Sequence, residues 1–211
     1  MTFLPSLNVL LAFAAASLLL AATPGPDMAL FLSRTLGGGR AHGFAALAGA
    51  MAGLLVHTAA AALGLSALLA ASASAYSAVK AVGALYLLWL AYGALRHGTA
   101  LRLEGQGAGS IGRGFTTGLV INLTNPKIIL FFVTFLPQFI DAGESSASGK
   151  FLFLGLMFIA IGATFCSGLI LIAARFVAAA KSNPRAIRWF DYGFAGLMGA
   201  FAARLVWAQG R

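Results

Sequence analysis

Long apolar runs dominate the sequence, and short polar stretches separate them. We identify six such segments, at residues 5–33, 42–70, 75–95, 114–140, 149–174 and 187–208. None of the segments alternates between apolar and polar positions as the strands of a membrane β-barrel do. A helix needs about 20 residues to cross a bilayer, and each segment is long enough. The pattern therefore predicts an all-α integral membrane protein with six transmembrane helices.

The composition supports this class. Of the 211 residues, 60% are hydrophobic and only 9% are charged, whereas a typical soluble domain has roughly 25% charged residues. This excludes an ordinary soluble globule, and the high hydrophobicity excludes a disordered chain. The single cysteine, Cys166, excludes an internal disulfide and a paired-cysteine metal or redox motif. Because it lies in an apolar run, we expect it to be a small packing residue.

The net charge of +9 would suggest nucleic acid as the partner of a soluble protein. No basic helix or aromatic and basic platform accompanies it, so we expect contact with membrane lipid and no nucleic acid partner. The cationic residues collect in the loops after the first, third and fifth segments: Arg34, Arg40, Arg96, Arg102, Arg113, Arg175, Lys181, Arg185 and Arg188. The opposite side holds Lys80, Lys150 and Arg211. This bias predicts a multi-pass protein of the cell inner (plasma) membrane, with both termini outside.

The first segment has one feature of a signal peptide, an apolar run that ends in the small residues Ala21 and Ala22. No Lys or Arg precedes this run, so the basic region that opens a signal peptide is missing. We therefore expect the first segment to be retained as a membrane span.

A glycine-rich polar stretch at residues 98–112 divides the chain into two halves of three spans. We predict a first three-helix repeat at 1–97, a cytoplasmic linker at 98–112 and a second repeat at 113–211. Because each half has an odd number of spans, the second half enters the membrane upside down. This is the inverted-repeat architecture of many transporters.

The first span of each half is interrupted by proline. The two interruptions read Thr23-Pro24-Gly25-Pro26-Asp27 and Asn122-Leu123-Thr124-Asn125-Pro126-Lys127. In each, a proline is followed by a charged residue and then by an apolar stretch. Interrupted hydrophobic segments at matching positions of two halves are the best sequence indication of a transport site.

The first interruption exposes backbone groups. Pro24 and Pro26 leave the carbonyls of Leu20 and Ala22 without helical donors, and we expect Gly25 to permit unusual backbone angles between them. A free carbonyl in lipid costs several kcal/mol, so this backbone should face protein or a water-filled cavity.

Two charged residues follow the prolines. Asp27 is either a helix-capping acid, favoured by the helix dipole, or a substrate or proton site, which we favour because an ionisable group within a span is costly. Asn125 suits an N-cap and Pro126 the first helical position. A cation at a helix N-terminus is disfavoured, so Lys127 either pairs with a buried acid, for which Asp27 is the obvious partner, or helps to bind an anion.

These residues together suit a zwitterionic ligand. Two half-helix N-termini and Lys127 favour a carboxylate, while Asp27 can receive an ammonium. Asn122 and Asn125 can add polar contacts. His57, within the second span, is either a proton relay or a neutral histidine hydrogen-bonded between helices.

Enzymatic function is not indicated. The sequence has no zinc-peptidase, nucleophile-elbow or Walker A motif, and Gly107-x-Gly109-x-x-Gly112 follows no strand, so it is not a dinucleotide site. One Asp and one His within the spans are a poor supply of metal ligands. We therefore expect no cofactor and no catalytic residue, and an ion gradient, most simply of protons, as the energy source.

The two interrupted motifs, with Gly83-Ala84-Leu85-Tyr86-Leu87 and the glycine-rich sixth segment, resemble the lysine exporter / homoserine–threonine resistance exporter (LysE/RhtB) family over nearly the whole chain. The resemblance implies a proton-driven inner-membrane exporter of amino acids or related metabolites. It implies a translocation site that includes Asp27 and Lys127. The alternative is an exporter or channel for a different small solute or a metal ion. The oligomeric state stays open, with a homodimer as one alternative.

Overall fold

The computed structural model describes residues 5–97, 109–140 and 146–209, which are almost entirely helical and contain no strand. The helices are α1 (Leu7–Ala22), α2 (Pro26–Gly38), α3 (Arg40–Ala60), α4 (Ser66–Ala71), α5 (Ala73–His97), α6 (Ile111–Thr124), α7 (Pro126–Leu130), α8 (Ala147–Leu171), α9 (Ala173–Ser182) and α10 (Pro184–Gln209). A π-helical turn (Ala61–Leu65) joins α3 to α4, and a second (Phe131–Phe135) extends α7 into a 3₁₀ turn (Leu136–Phe139). The predicted all-helical fold is confirmed.

Two helices are bent at the predicted interruptions. α1 and α2 meet at 54°, and α6 meets the α7 segment at 50°. Two other stretches of the described chain, Arg40–Leu68 and Ala147–Leu171, are each long and apolar enough to cross a membrane. If each bent pair counts as one span, four spans of the described chain meet this criterion. The arrangement of six spans as inverted repeats stays a prediction.

The boundaries differ from the sequence pattern in two places. The linker predicted at 98–112 lies mostly outside the described residues, and α6 already begins at Ile111. Arg34, expected in a loop, lies within α2 and is buried. The helix therefore continues beyond the apolar run that predicted it.

Glycines allow α3 and α6 to approach closely. A Cβ atom at Gly49 would overlap the carbonyl oxygen of Phe115, and one at Gly118 would overlap the carbonyl oxygen of Ala46. Small residues at such crossings let two backbones come into contact within a membrane. The contact holds the middle of α6, the helix that precedes the second interruption, against α3.

Aromatic packing holds the segment that follows the second interruption. Phe131 stacks on Phe158 of α8 with ring centroids 4.2 Å apart, and the Phe13 ring of α1 meets Phe139 edge-on at 5.2 Å. The outer helix faces carry exposed large apolar side chains, as expected for contact with lipid. The core thus fixes the positions of both interruptions relative to each other.

Candidate functional site

A cavity lies where the two interruptions meet. Its polar lining consists of Thr23, Asp27, Asn122 and Lys127, and most of the remaining lining is apolar. The empty volume is about 470 Å³, including the space at its mouth. A mostly apolar pocket with a few convergent polar groups is typical of a small-molecule site.

Asp27 is held by the second interruption. Its Oδ2 atom accepts hydrogen bonds from the side-chain amides of Asn125, at 2.7 Å, and Asn122, at 3.3 Å. Both asparagines are almost fully buried. The first turn of α2 is therefore tied to a segment almost 100 residues further along the chain.

Lys127 is held by the first interruption. Its ammonium donates to the carbonyl oxygens of Thr23, at 3.0 Å, and Leu20, at 3.2 Å. The Leu20 carbonyl is one of the two that the prolines were predicted to leave without donors, and it lies at the C-terminal end of α1, where the helix dipole favours a cation. The unfavourable electrostatic position of Lys127 at the N-terminus of α7 is thus offset by the favourable position of its ammonium at the C-terminus of α1.

The expected ion pair between Asp27 and Lys127 is not formed. Both side chains are among the described residues and line the same cavity, yet no salt bridge joins them. Each instead bonds to uncharged groups of the opposite interruption. The two charges therefore remain separate within one cavity.

Two buried side-chain oxygen atoms of residues that line the cavity accept no hydrogen bond. Within the described residues, the Oδ1 atoms of Asp27 and Asn122 have no donor. Buried acceptors are nearly always satisfied in folded proteins, and an exception calls for a ligand, an ion or water. An N–H donor of a ligand, such as an ammonium, would satisfy either atom that it reached.

Local structure at the second interruption matches the predicted one. Asn125 caps α7 by accepting a hydrogen bond from the Lys127 backbone N–H at 3.0 Å, and Pro126 opens the helix. The same amide side chain thus caps the helix with its oxygen and binds Asp27 with its nitrogen. This double use leaves Asn125 little freedom to move.

The reason expected for Gly25 is wrong. Its backbone is extended, with φ of −167° and ψ of −178°, a conformation that any residue adopts. A Cβ atom at this position would lie 3.1 Å from Lys127 Nζ. Gly25 therefore leaves room for the ammonium, which a Cβ atom would displace by a few tenths of an ångström. Pro24 is buried beside it, and Pro26 opens α2 at an exposed position.

His57 lies behind the cavity wall. Its Nε2 atom is 3.4 Å from the carbonyl oxygen of Asn122, and its ring stacks on Phe132 at 5.5 Å. Because a carbonyl only accepts, Nε2 carries the hydrogen. The ring is thus hydrogen-bonded to a neighbouring helix, and His57 does not line the cavity.

A second cavity, lined by apolar side chains and Lys127, adjoins the first. It has an empty volume of about 310 Å³ and is lined by residues that include Leu87, Phe135 and Met198. The two cavities share Leu20 and Lys127 as lining residues. The Lys127 side chain therefore lies between them.

Sequence reasoning missed three residues of the site. Thr23 contributes its carbonyl, and its hydroxyl donates to the Leu19 carbonyl at 2.7 Å. Gly162 and Cys166 line the cavity from α8. The position of Thr23 directly before a proline was a usable signal, whereas nothing local distinguishes Gly162.

Other polar residues of the spans lie elsewhere. Asp191 is buried on α10, with its carboxylate 3.9 Å from the Arg188 guanidinium. The described residues contain no group of three or more His, Cys, Asp or Glu side chains that could hold a metal ion. Asp27 and Lys127 therefore line the cavity, whereas Asp191 does not.

Comparison with known proteins gives a consistent result. The model of a family described as LysE type translocator matches residues 18–209. A leucine efflux protein of Enterobacter sp. (strain 638) is 34% identical, over 86% of this chain and 87% of its own length. A homoserine/homoserine lactone efflux protein of Salmonella typhimurium is 30% identical, over 94% of this chain and 96% of its own. A Pseudomonas aeruginosa protein named only as a membrane protein is 31% identical over 88% of each. No solved structure matches the chain.

Proposed function

The chain belongs to the LysE type translocator family, and we propose that it exports amino acids from the cytoplasm through the cavity between its two interrupted helices. The family consists of transporters, and two of the relatives above are named as efflux proteins for leucine and for homoserine and its lactone. The cavity supplies what such a substrate requires: one acid, one ammonium and an apolar wall.

One observation carries this proposal. Asp27 and Lys127 line one cavity, but each is held by the opposite interruption instead of by the other. An acid and an amine that form no salt bridge with each other are available to a ligand with one charge of each sign. A free α-amino acid is such a ligand.

The substrate ammonium would bind to Oδ1 of Asp27 and Oδ1 of Asn122, the two buried oxygens without donors. The substrate carboxylate would bind to Lys127, whose ammonium has three donors and uses two of them on the carbonyls of Leu20 and Thr23. Asn125 holds the Asp27 carboxylate in place. Binding then satisfies every polar group that the bare cavity leaves open.

Export would be driven by protons through Asp27. On the outside, where protons are abundant, protonation removes the negative charge of Asp27 and weakens its attraction for the substrate ammonium. On the cytoplasmic side the proton leaves and the carboxylate is restored, so that one proton enters as one substrate exits. Movement of Lys127 would open the first cavity to the second.

We also propose that the two halves are inverted repeats, and their contacts support this. If the two halves are superposed, Asp27 corresponds to Lys127 and the first interruption to the second. Asp27 contacts the second interruption, and Lys127 contacts the first. The contacts of α3 with α6 and of α1 with α8 are likewise exchanged. With both termini outside the inner membrane, a reporter enzyme fused at the C-terminus would be inactive if it functions only in the cytoplasm.

The test uses purified protein in liposomes with an acidic lumen. Wild type should accumulate radiolabelled leucine or alanine from a neutral medium, and collapse of the pH gradient should abolish the accumulation. Asp27→Asn should lose it because the amide does not titrate. Asp191→Asn, a buried acid away from the cavity, is the matched control and should retain pH-driven uptake.

Each part of the proposal has its own contrary result. Wild-type vesicles that take up no amino acid under either condition would exclude amino-acid export. Uptake that is indifferent to the pH gradient would exclude proton coupling. Normal pH-driven accumulation by Asp27→Asn would show that this carboxylate is not the coupling group.

A further inference from the structure

One face of α8 forms a wall of the substrate cavity. Phe158, Gly162 and Cys166 all line the cavity and are all buried. They are spaced four residues apart, so they lie one above the other on the same side of the helix. The middle position of this face has no side chain.

Gly162 differs from the other buried glycine of the same helix. A Cβ atom at Gly155 would overlap the side chain of Thr58, which means that Gly155 permits a close helix contact. A Cβ atom at Gly162 would have no neighbouring heavy atom within 4 Å. Because Gly162 is buried and lines the cavity, this open space is part of the cavity.

The charges of the cavity limit what occupies that space. Among the described residues that line it, Asp27 is the acidic side chain and Lys127 the basic one. The α-ammonium and α-carboxylate of an amino acid would engage both. No described charge then remains for a charged side chain, and the surrounding wall includes apolar groups such as Phe158 and Leu54.

We propose that Gly162 determines substrate specificity: the open space beside it receives the side chain of the transported amino acid, which is uncharged and apolar. The inference rests on the proposed export function. A side chain added at Gly162 would occupy the substrate's place without displacing the protein's own packing. Larger substrates should be excluded first because overfilling a packed space is costly.

The test is a graded series, Gly162→Ala, Gly162→Val and Gly162→Leu, in liposomes with an acidic lumen. Uptake of alanine, valine, leucine, phenylalanine and lysine is compared. The leucine-to-alanine uptake ratio should fall with each added carbon group, by at least about tenfold in Gly162→Leu. Lysine should be a poor substrate of wild type. Gly168→Val is the matched control, since Gly168 lies on α8, has open space around it and does not line the cavity.

The outcomes separate this inference from the function on which it rests. If wild type takes up none of the five amino acids, the export function fails. If wild type exports leucine but the ratio stays constant in Gly162→Ala and Gly162→Val, the specificity role of Gly162 is wrong. An equal fall in Gly168→Val, or wild-type lysine uptake as fast as leucine uptake, also overturns it. Gly162→Ala adds only a methyl group, so it keeps the test valid if the larger variants do not fold.

Discussion

The ammonium of Lys127 donates a hydrogen bond to the carbonyl oxygen of Leu20 at 3.2 Å, 107 positions earlier in the chain. Pro24 deprives that carbonyl of its helical donor, because proline has no backbone N–H. One residue thus repairs the hydrogen bonding of a broken helix and places a positive charge in a cavity. A structural role and the proposed ligand-binding role therefore coincide at the same atom.

Replacing Lys127 by methionine should therefore affect both roles. The carbonyls of Leu20 and Thr23 would lose their donor, and we expect the free energy of unfolding to fall by about 1–3 kcal/mol. Export should be lost as well because the substrate carboxylate loses its cation. Thermal unfolding in detergent and uptake into liposomes would measure the two effects.

Lys150→Met is the control for this variant. Lys150 lies in the first turn of α8 and does not line the cavity, so its replacement should leave uptake close to that of wild type. A Lys127→Met protein with wild-type unfolding temperature and wild-type uptake would contradict the assigned contacts.

Gly25→Ala should impair transport more than stability. The extended backbone at this position accepts alanine, but the new Cβ would lie 3.1 Å from Lys127 Nζ and push the ammonium away from its two carbonyls. We expect uptake to fall about three- to tenfold, as for a weakened hydrogen bond. Gly193→Ala, which adds a methyl group in open space on α10, should export normally. Equal uptake by the two variants would argue against a steric role of Gly25.

Gly118→Ala should fail at the level of folding. Its Cβ would overlap the Ala46 carbonyl, a backbone atom that cannot rotate away, so α3 and α6 would have to separate. We expect destabilisation by about 1–3 kcal/mol or more, together with a reduced yield of folded protein. Gly112→Ala on the same helix meets no neighbour within 4 Å and should be neutral or slightly stabilising. Fluorescence-detected thermal unfolding of both variants is the measurement.

Cys166 provides a direct probe of the cavity because it is the single cysteine of the chain and lines the cavity wall. N-ethylmaleimide should label it slowly, and a transported amino acid at ten times its Kd should slow labelling further by about tenfold. Asp27→Asn should weaken this protection. Cys166→Ala establishes the background. An unchanged labelling rate in the presence of an exported amino acid would place the substrate elsewhere.

Local features of the site were predictable from the sequence. These features are the two proline interruptions, the helix cap at Asn125 and the Leu20 carbonyl that lacks a helical donor. Each depends on residues within four positions of one another, so it is encoded locally. The salt bridge between Asp27 and Lys127, one of the two alternatives for Lys127, is not formed. Both residues line one cavity, but each forms its hydrogen bonds with uncharged groups and not with the other.

The sequence by itself determined the helical class, the two interruptions and the charge that each one carries, since periodicity and proline chemistry depend on short stretches of chain. Only the tertiary structure decided which carbonyls Lys127 reaches, why Gly25 has no side chain and where Gly162 leaves open space. These features depend on the distance between helices that are far apart in the chain. The packing of the whole core sets that distance.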